Sequence, residues 1–328
     1  MDWQNRRVLV TGGAGFLGSN LCLTLAGRGA RVTALDGFLF GGGANPANLT
    51  PDHQNGAEVT LVQGDIREMD LRNLCEGMDV IFNLAAQTSH MGGQRDPLAD
   101  IAVNAVAQVR LIQAAREAAP AAIVVHASTR QFYGRPIRLP VDELHPVNPP
   151  DANGVSKFAG EQYWMLENRV HGRPVVSLRL TNCYGPRLRI RDARQTFLGI
   201  WLRHVLEGRP FEVWGGEQLR DLTYVDDVTE AFIAAAASLA CHGGVFNLGG
   251  FPPASLRDIA EMLVRLAGPP ARFELREFPK DRALIDIGSY HADDAAFRAA
   301  SGWAPQVTLE DGLARSLDWY RTRLPDYT

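Results

Sequence analysis

Directly after the apolar run Arg7-Val8-Leu9-Val10 comes Thr11-Gly12-Gly13-Ala14-Gly15-Phe16-Leu17-Gly18, in which Gly12, Gly15 and Gly18 stand at the spacing G-x-x-G-x-x-G. The stretch from Leu17 to Arg28 then has the pattern of a helix. A strand, a tight glycine turn and a helix in that order commit the chain to a parallel α/β layer. Missing Cβ atoms let the turn's backbone approach a pyrophosphate, whose charge rests on the N–H groups at the helix N-terminus, where Phe16 and Leu17 lie. Asp36 follows the second strand-like run, Arg31-Val32-Thr33-Ala34-Leu35. A carboxylate there accepts hydrogen bonds from an adenosine ribose and repels a 2′-phosphate, so NAD is expected rather than NADP.

The same rhythm continues. Val59-Thr60-Leu61-Val62, Asp79-Val80-Ile81-Phe82, Ala122-Ile123-Val124-Val125 and Val175-Val176-Ser177-Leu178-Arg179 read as further strands between amphipathic stretches. After Gly185-Pro186 the alternation becomes irregular, which marks the entry to a smaller second domain. Leu222-Thr223-Tyr224-Val225 and Gly244-Val245-Phe246-Asn247 read as strands returning to the edge of the main sheet. The expected division is residues 1–180 with 222–250 for the first domain and 181–221 with 251–328 for the second.

Composition excludes other classes. A chain of 328 residues with a formal charge of -4 has no broad cationic surface for nucleic acid or anionic lipid. No apolar run approaches the ~18 residues that span a bilayer. The N-terminus lacks the apolar core of a signal peptide. Cys22, Cys75, Cys183 and Cys241 are widely spaced, without a Cys-x-x-Cys or a His at zinc-ligand distance, so reduced thiols in a cytoplasmic protein and no metal are expected.

Further motifs follow in order: Asp65-Ile66, Asn83-Leu84-Ala85-Ala86, Ser128-Thr129 with Tyr133-Gly134, Asn182-Cys183-Tyr184-Gly185-Pro186-Arg187, Arg220-Asp221, Tyr224-Val225-Asp226-Asp227-Val228 and Gly302-Trp303. With them the chain resembles the extended short-chain dehydrogenase/reductase family of nucleotide-sugar epimerases and dehydratases, over nearly its whole length. The resemblance implies a Rossmann-type doubly wound parallel sheet holding NAD, and a mixed α/β C-terminal domain gripping a nucleoside diphosphate sugar. It places Asp65 and Ile66 near the adenine, Leu84, Ala85 and Ala86 along the cofactor, and Gln87 at the substrate. As a lone residue after a strand, Asp65 reads equally well as a turn residue.

In that family a Ser or Thr and a Tyr-x-x-x-Lys pair surround the sugar carbon that is oxidised. Here the Thr is Thr129 and the Lys is Lys157, but the tyrosine position is Asn153. Residues 153 and 157 share a helix face about 6 Å apart. An amide cannot serve as a general base, a role typically worth about 10²–10⁴ in rate. Lys157 in its neutral form, or a water held by Thr129, is the leading replacement, and Cys183, Tyr133, His90 and His126 are further candidates. Asn153 would then hydrogen-bond the sugar. Family dehydratases carry an Asp-Glu pair where this chain has Arg130-Gln131, which argues against dehydration. Arg130 suits either an anionic group of the substrate or a neighbouring acid.

At the nucleotide end, Arg220 and Asn182 match residues that reach the substrate pyrophosphate. Arg187, with Arg189, Arg191 and Arg194, is either an extra diphosphate grip or a solvated basic face. Trp214 is expected at the nucleobase and Asp281 at the nucleotide ribose. The reading is an NAD-dependent nucleotide-sugar epimerase. Alternatives are a catalytically silent NAD- and nucleotide-sugar-binding protein and a Tyr-to-Asn trapped variant. A homodimer through helices near 104–117 and 154–168 is implied by resemblance.

Overall fold

A computed structural model describes residues 1–39, 42–50, 59–192, 196–279 and 286–328. Its centre is a parallel sheet of seven strands: β1 (Arg7–Thr11), β2 (Arg31–Asp36), β3 (Val59–Gln63), β4 (Val80–Asn83), β5 (Ile123–Thr129), β6 (Val175–Leu180) and, further along the chain, Val245–Leu248. From one edge the order is Val245–Leu248, β6, β5, β4, β1, β2, β3. The order reverses between β1 and β4, the place where a doubly wound sheet leaves a crevice at its strand ends.

The strands are near-continuous apolar runs because both faces are covered. Val8 and Val10 of β1 pack on one face, Leu9 on the other. The first face is covered by α1 (Phe16–Gly27) and the second by α2 (Arg72–Cys75), while α3 (His90–Arg95) and α4 (Pro97–Ile101) lie against α6 (Ala152–His171), which with α5 (Ala107–Ala118) also covers the second face. A π-turn, Ala102–Val106, joins α4 to α5. Gly160 of α6 packs so closely on it that a Cβ would strike the Asn104 carbonyl.

Beyond β6 the chain builds a second core. Short strands β7 (Asn182–Tyr184), β8 (Phe211–Trp214), β9 (Leu219–Arg220) and β10 (Leu222–Tyr224) accompany α7 (Phe197–Leu206). After α8 (Val225–Ala237), which lies against the main sheet, β11 (Val245–Leu248) supplies the sheet's seventh strand. Then come β12 (Ala254–Ser255), α9 (Leu256–Ala267), β13 (Phe273–Arg276), α10 (Ala295–Ser301), α11 (Leu309–Arg321) and α12 (Leu324–Tyr327). Trp201, Phe211, Ile259, Leu263, Leu317 and Tyr320 pack together in this second core.

One expected strand sits elsewhere. The run at 222–225 does not rejoin the main sheet: β10 pairs in parallel with β7, Leu222 opposite Asn182. Leu222 and Tyr224 are drawn into the second core, and that burial decides which partner the strand takes. The run at 244–247 does supply the sheet's edge strand.

Candidate active site

The glycine turn is shaped by contacts that forbid side chains. Gly12 has φ +68°, and a Cβ there would meet the Leu84 and Ala85 backbone at 2.9 Å. A Cβ on Gly18 would strike the Gly12 carbonyl, and one on Gly13 would lie 2.6 Å from Ala34 Cβ, which explains a glycine outside the motif's spacing. Gly15 differs: its Cβ position has only Gly12 O near it, at 3.1 Å. Gly15 is also the N-cap of α1, with no side-chain cap and no acidic residue in the first turn. A close-approach face beside uncapped N–H groups fits a dinucleotide pyrophosphate.

Asp36 braces this turn. Its carboxylate accepts from Ala14 N at 3.1 Å and Phe38 N at 3.0 Å, and burial raises its pKa from the ordinary value against the pull of these bonds. Thr11, which sequence reasoning passed over, donates to Asn83 Oδ1 at 2.8 Å and accepts from Ala85 N at 3.1 Å. It thereby fixes the Leu84-Ala85-Ala86 segment against the turn. Ile66 is buried in the sheet's core. Asp65 takes the turn role: it accepts from Arg67 N at 2.9 Å and from Arg67 Nε at 3.0 Å, and the Arg67 hydrogen bonds hold its pKa low. Its carboxylate is thus turned to a neighbour two residues away instead of the expected adenine.

At the other side of the crevice, α6 presents Asn153, Lys157 and Glu161 one turn apart. Glu161 anchors the row, accepting from Ser128 Oγ at 2.7 Å, Ser177 Oγ at 3.1 Å and Arg179 Nη2 at 2.6 Å. Lys157 Nζ lies 3.5 Å from the Ala127 carbonyl, two residues before Thr129 on β5. Burial pushes its pKa down to about 8, against the opposing pull of Asp100 and Glu161. Thr129 Oγ1 accepts from Gln131 N at 3.1 Å, so the hydroxyl is oriented by its own turn.

Asn153 corrects an expectation. Its side chain is buried and both amide hydrogens stay within the protein, donated to Gln87 O at 2.9 Å and Asp100 Oδ2 at 3.0 Å. The amide therefore ties α6 to the loop and to α4 rather than pointing its donors at a sugar. Asp100 Oδ1 accepts from Asn104 Nδ2, and Asn104 also exchanges two hydrogen bonds with the Gln87 backbone. Gln87 turns its own amide back on the Ser89 backbone. No spacing rule reveals Asp100, because its partner lies 53 residues away.

The other proton-carrier candidates sit in surroundings of their own. Tyr133 OH donates to Asn247 Oδ1 at 2.9 Å and accepts from Arg179 Nη1 at 2.6 Å, and burial pushes its pKa up to about 12. Burial, then the Lys157 charge, hold His126 down at about 3. Burial raises Cys183 to about 12. His90 Nδ1 lies 2.9 Å from Asp151 Oδ2.

At the expected nucleotide end, Arg130 Nη2 donates to Asn182 Oδ1 at 2.7 Å, and its guanidinium lies 4.6 Å from the centre of the Tyr290 ring. Arg220 is buried, donates to Leu219 O and Gly288 O, and has Asp286 3.6 Å away. Burial, and then the Arg130 charge, lower its pKa to about 10. Trp214 ends β8 with Nε1 3.2 Å from Glu212 Oε2. Arg187 is a second correction: it is buried and donates to Asn48 O at 2.9 Å, Asn20 Oδ1 at 3.0 Å and Thr50 O at 3.4 Å. Those bonds brace the loop beside α1 instead of facing a diphosphate. Arg189 likewise reaches Gly42 O and Asp192. Asp281 and Arg194 lie outside the described residues.

Among the described residues no group of His, Cys, Asp and Glu is arranged to hold a metal, and no helix is long and apolar enough to cross a membrane. The UDP-glucose 4-epimerase of Mycolicibacterium smegmatis is 33% identical over 97% of this chain and 99% of its own. Among solved structures, the UDP-glucose 4-epimerase of Thermotoga maritima with UDP-glucose superposes with a TM-score of 0.85 at 26% identity, over 97% of this chain and 99% of that one. The UDP-glucuronic acid 4-epimerase of Bacillus cereus, in complex with UDP-glucuronic acid and NAD, gives 0.83 at 28% identity with the same coverage. Residues 8–249, the stretch that carries the glycine turn, Lys157 and Arg220, match the NAD dependent epimerase/dehydratase family, and the chain belongs to it.

Proposed function

We propose that this protein epimerises a nucleoside diphosphate hexose at C4 with a retained NAD. The observation that carries the reading is Lys157, held beside the strand of Thr129 with its pKa lowered to about 8. Bound NAD would supply the hydride acceptor that oxidises the sugar carbon and, once reduced, the hydride that restores it from the opposite face. Gly12, Gly15, Gly18, Phe16 and Leu17 would cradle its phosphates, Asp36 its ribose, and Leu84, Ala85 and Ala86 its flank. Thr129 binds the reacting hydroxyl. Lys157 accepts the hydroxyl proton at Nζ and gives it back, its desolvated ammonium being easier to deprotonate than one in water. Asn182 and Arg220 hold the diphosphate and Trp214 the base, with Asp281 assigned to the ribose.

The test is NMR of products from a panel of UDP-, dTDP-, CDP- and GDP-hexoses. Inversion by the wild type, lost in Lys157→Met with cofactor retained, supports the reading. The commitment of Asn153's amide to Gln87 and Asp100 favours a second reading, a silent binding protein or a trapped variant. Turnover only after Asn153→Tyr would select it.

The two cores support the expected division into a cofactor domain (1–180 with 222–250) and a substrate domain (181–221 with 251–328), except for β10, whose Leu222 and Tyr224 lie in the second core. A homodimer is proposed through the helices near 104–117 and 154–168, where Val106, Val155 and Leu166 are exposed apolar residues. Four free thiols accord with a cytoplasmic location.

A further inference from the structure

We propose that the hexose carries a carboxylate next to its reacting carbon, as a hexuronate does, and that Arg130 is the residue that selects it. The inference deepens the epimerase reading and rests on it. Arg130 follows Thr129 directly, so its side chain starts one residue from the group assigned to the reacting hydroxyl. Its guanidinium is fixed from two sides, by Asn182 Oδ1 at Nη2 and by the Tyr290 ring. Nη1 is closed off from solvent and has no hydrogen-bond partner. A buried cationic donor without an acceptor is costly, and a carboxylate satisfies it better than the hydroxymethyl group of a neutral hexose.

The nearby acid, Asp221, lends Arg130 its charge but no hydrogen bond. Asp221 turns Oδ2 to Ala292 N at 2.9 Å, and its Oδ1 has no hydrogen-bond partner. Nor is Arg130 needed as the first cation for the diphosphate, since Arg220 is the residue matched to it. A guanidinium whose charge is made more expensive by the Arg130 charge beside it suits a ligand more negative than a diphosphate alone.

The experiment uses the full chain with its resident cofactor. UDP- and dTDP-linked glucuronate, galacturonate, glucose and galactose are compared by kcat/KM and by calorimetric Kd, with Arg130→Met and Arg130→Lys alongside. In the wild type the better uronate is expected to exceed the neutral hexose on the same nucleotide by at least about 100-fold. Arg130→Met should erase that preference, and Arg130→Lys should keep part of it. Equal or better use of neutral hexoses by the wild type overturns the proposal without needing a variant. So does a loss of the same size on both sugar classes in Arg130→Met, which would make the residue a diphosphate grip. If no sugar is turned over, it is the epimerase reading that fails. Calorimetry then still decides the matter, tighter uronate binding upholding the proposal and equal binding refuting it.

Discussion

At the glycine turn a Cβ on Gly12 would meet backbone atoms of β4's following segment at 2.9 Å, whereas at the start of α6 the family's tyrosine position holds Asn153, bonded to Gln87 and Asp100. The first region is set by backbone shape, which leaves no room for a side chain at Gly12, Gly13 or Gly18. The second is proposed to work through proton chemistry, which depends on what surrounds a side chain. There the motif's spacing survives while the bonding around it is rebuilt, and the lysine one turn on becomes the only member of the pair able to move a proton.

The comparison is broken most forcefully at Lys157. Lys157→Met should lower kcat by about 10²–10⁴, with bound NAD measured separately after acid release. The pH profile sharpens the point. The neutral amine is the base, so activity should rise about tenfold per pH unit below a midpoint near 8 and level off above it. The positive charge of bound NAD would move the midpoint lower. A flat profile between pH 6 and 9 would remove Lys157 from the proton path.

Next in size is the turn itself. Gly12→Ala meets both a φ of +68° and backbone neighbours, so the protein should lose its NAD and about 1–3 kcal/mol of stability, read by cofactor content and denaturant unfolding. Gly15→Ala, with one neighbour at 3.1 Å, should fold nearly normally and weaken only cofactor binding. That contrast separates a turn built for packing from one built for a ligand.

Asn153→Ala leaves the buried Asp100 Oδ2 without its donor and Gln87 O with one of its two. About 1–3 kcal/mol of stability should be lost, with kcat reduced less than tenfold. A collapse in kcat at unchanged stability would return Asn153 to the sugar. The smallest effect on chemistry is expected from Leu166→Arg on the exposed face of α6, which should convert a dimer to monomer by light scattering and leave kcat within about twofold.

The elements of the sheet were legible because apolar runs between turns need no distant information. Asp36 was legible for the same reason, its place being set by the strand it ends. What escaped depends on partners far along the chain. The bonds of Arg187 run to residues 137 to 167 positions away, so its sequence neighbours suggested a basic cluster where the fold has a buried brace. The tie from Asn153 to Asp100 was hidden likewise, and β10's choice of β7 follows from a core that no local pattern announces. Asp65 is the opposite case, since its partner is two residues on and its turn role was readable beside the functional one.

The most direct measurement follows an isotope. The protein as purified, without added cofactor, is given the accepted nucleotide hexose carrying deuterium at C4, and the product is examined by NMR. Inversion at C4 with the deuterium kept on the same carbon is the predicted result. Inversion with the label washed out to solvent, or binding with no inversion of any hexose offered, would contradict the account.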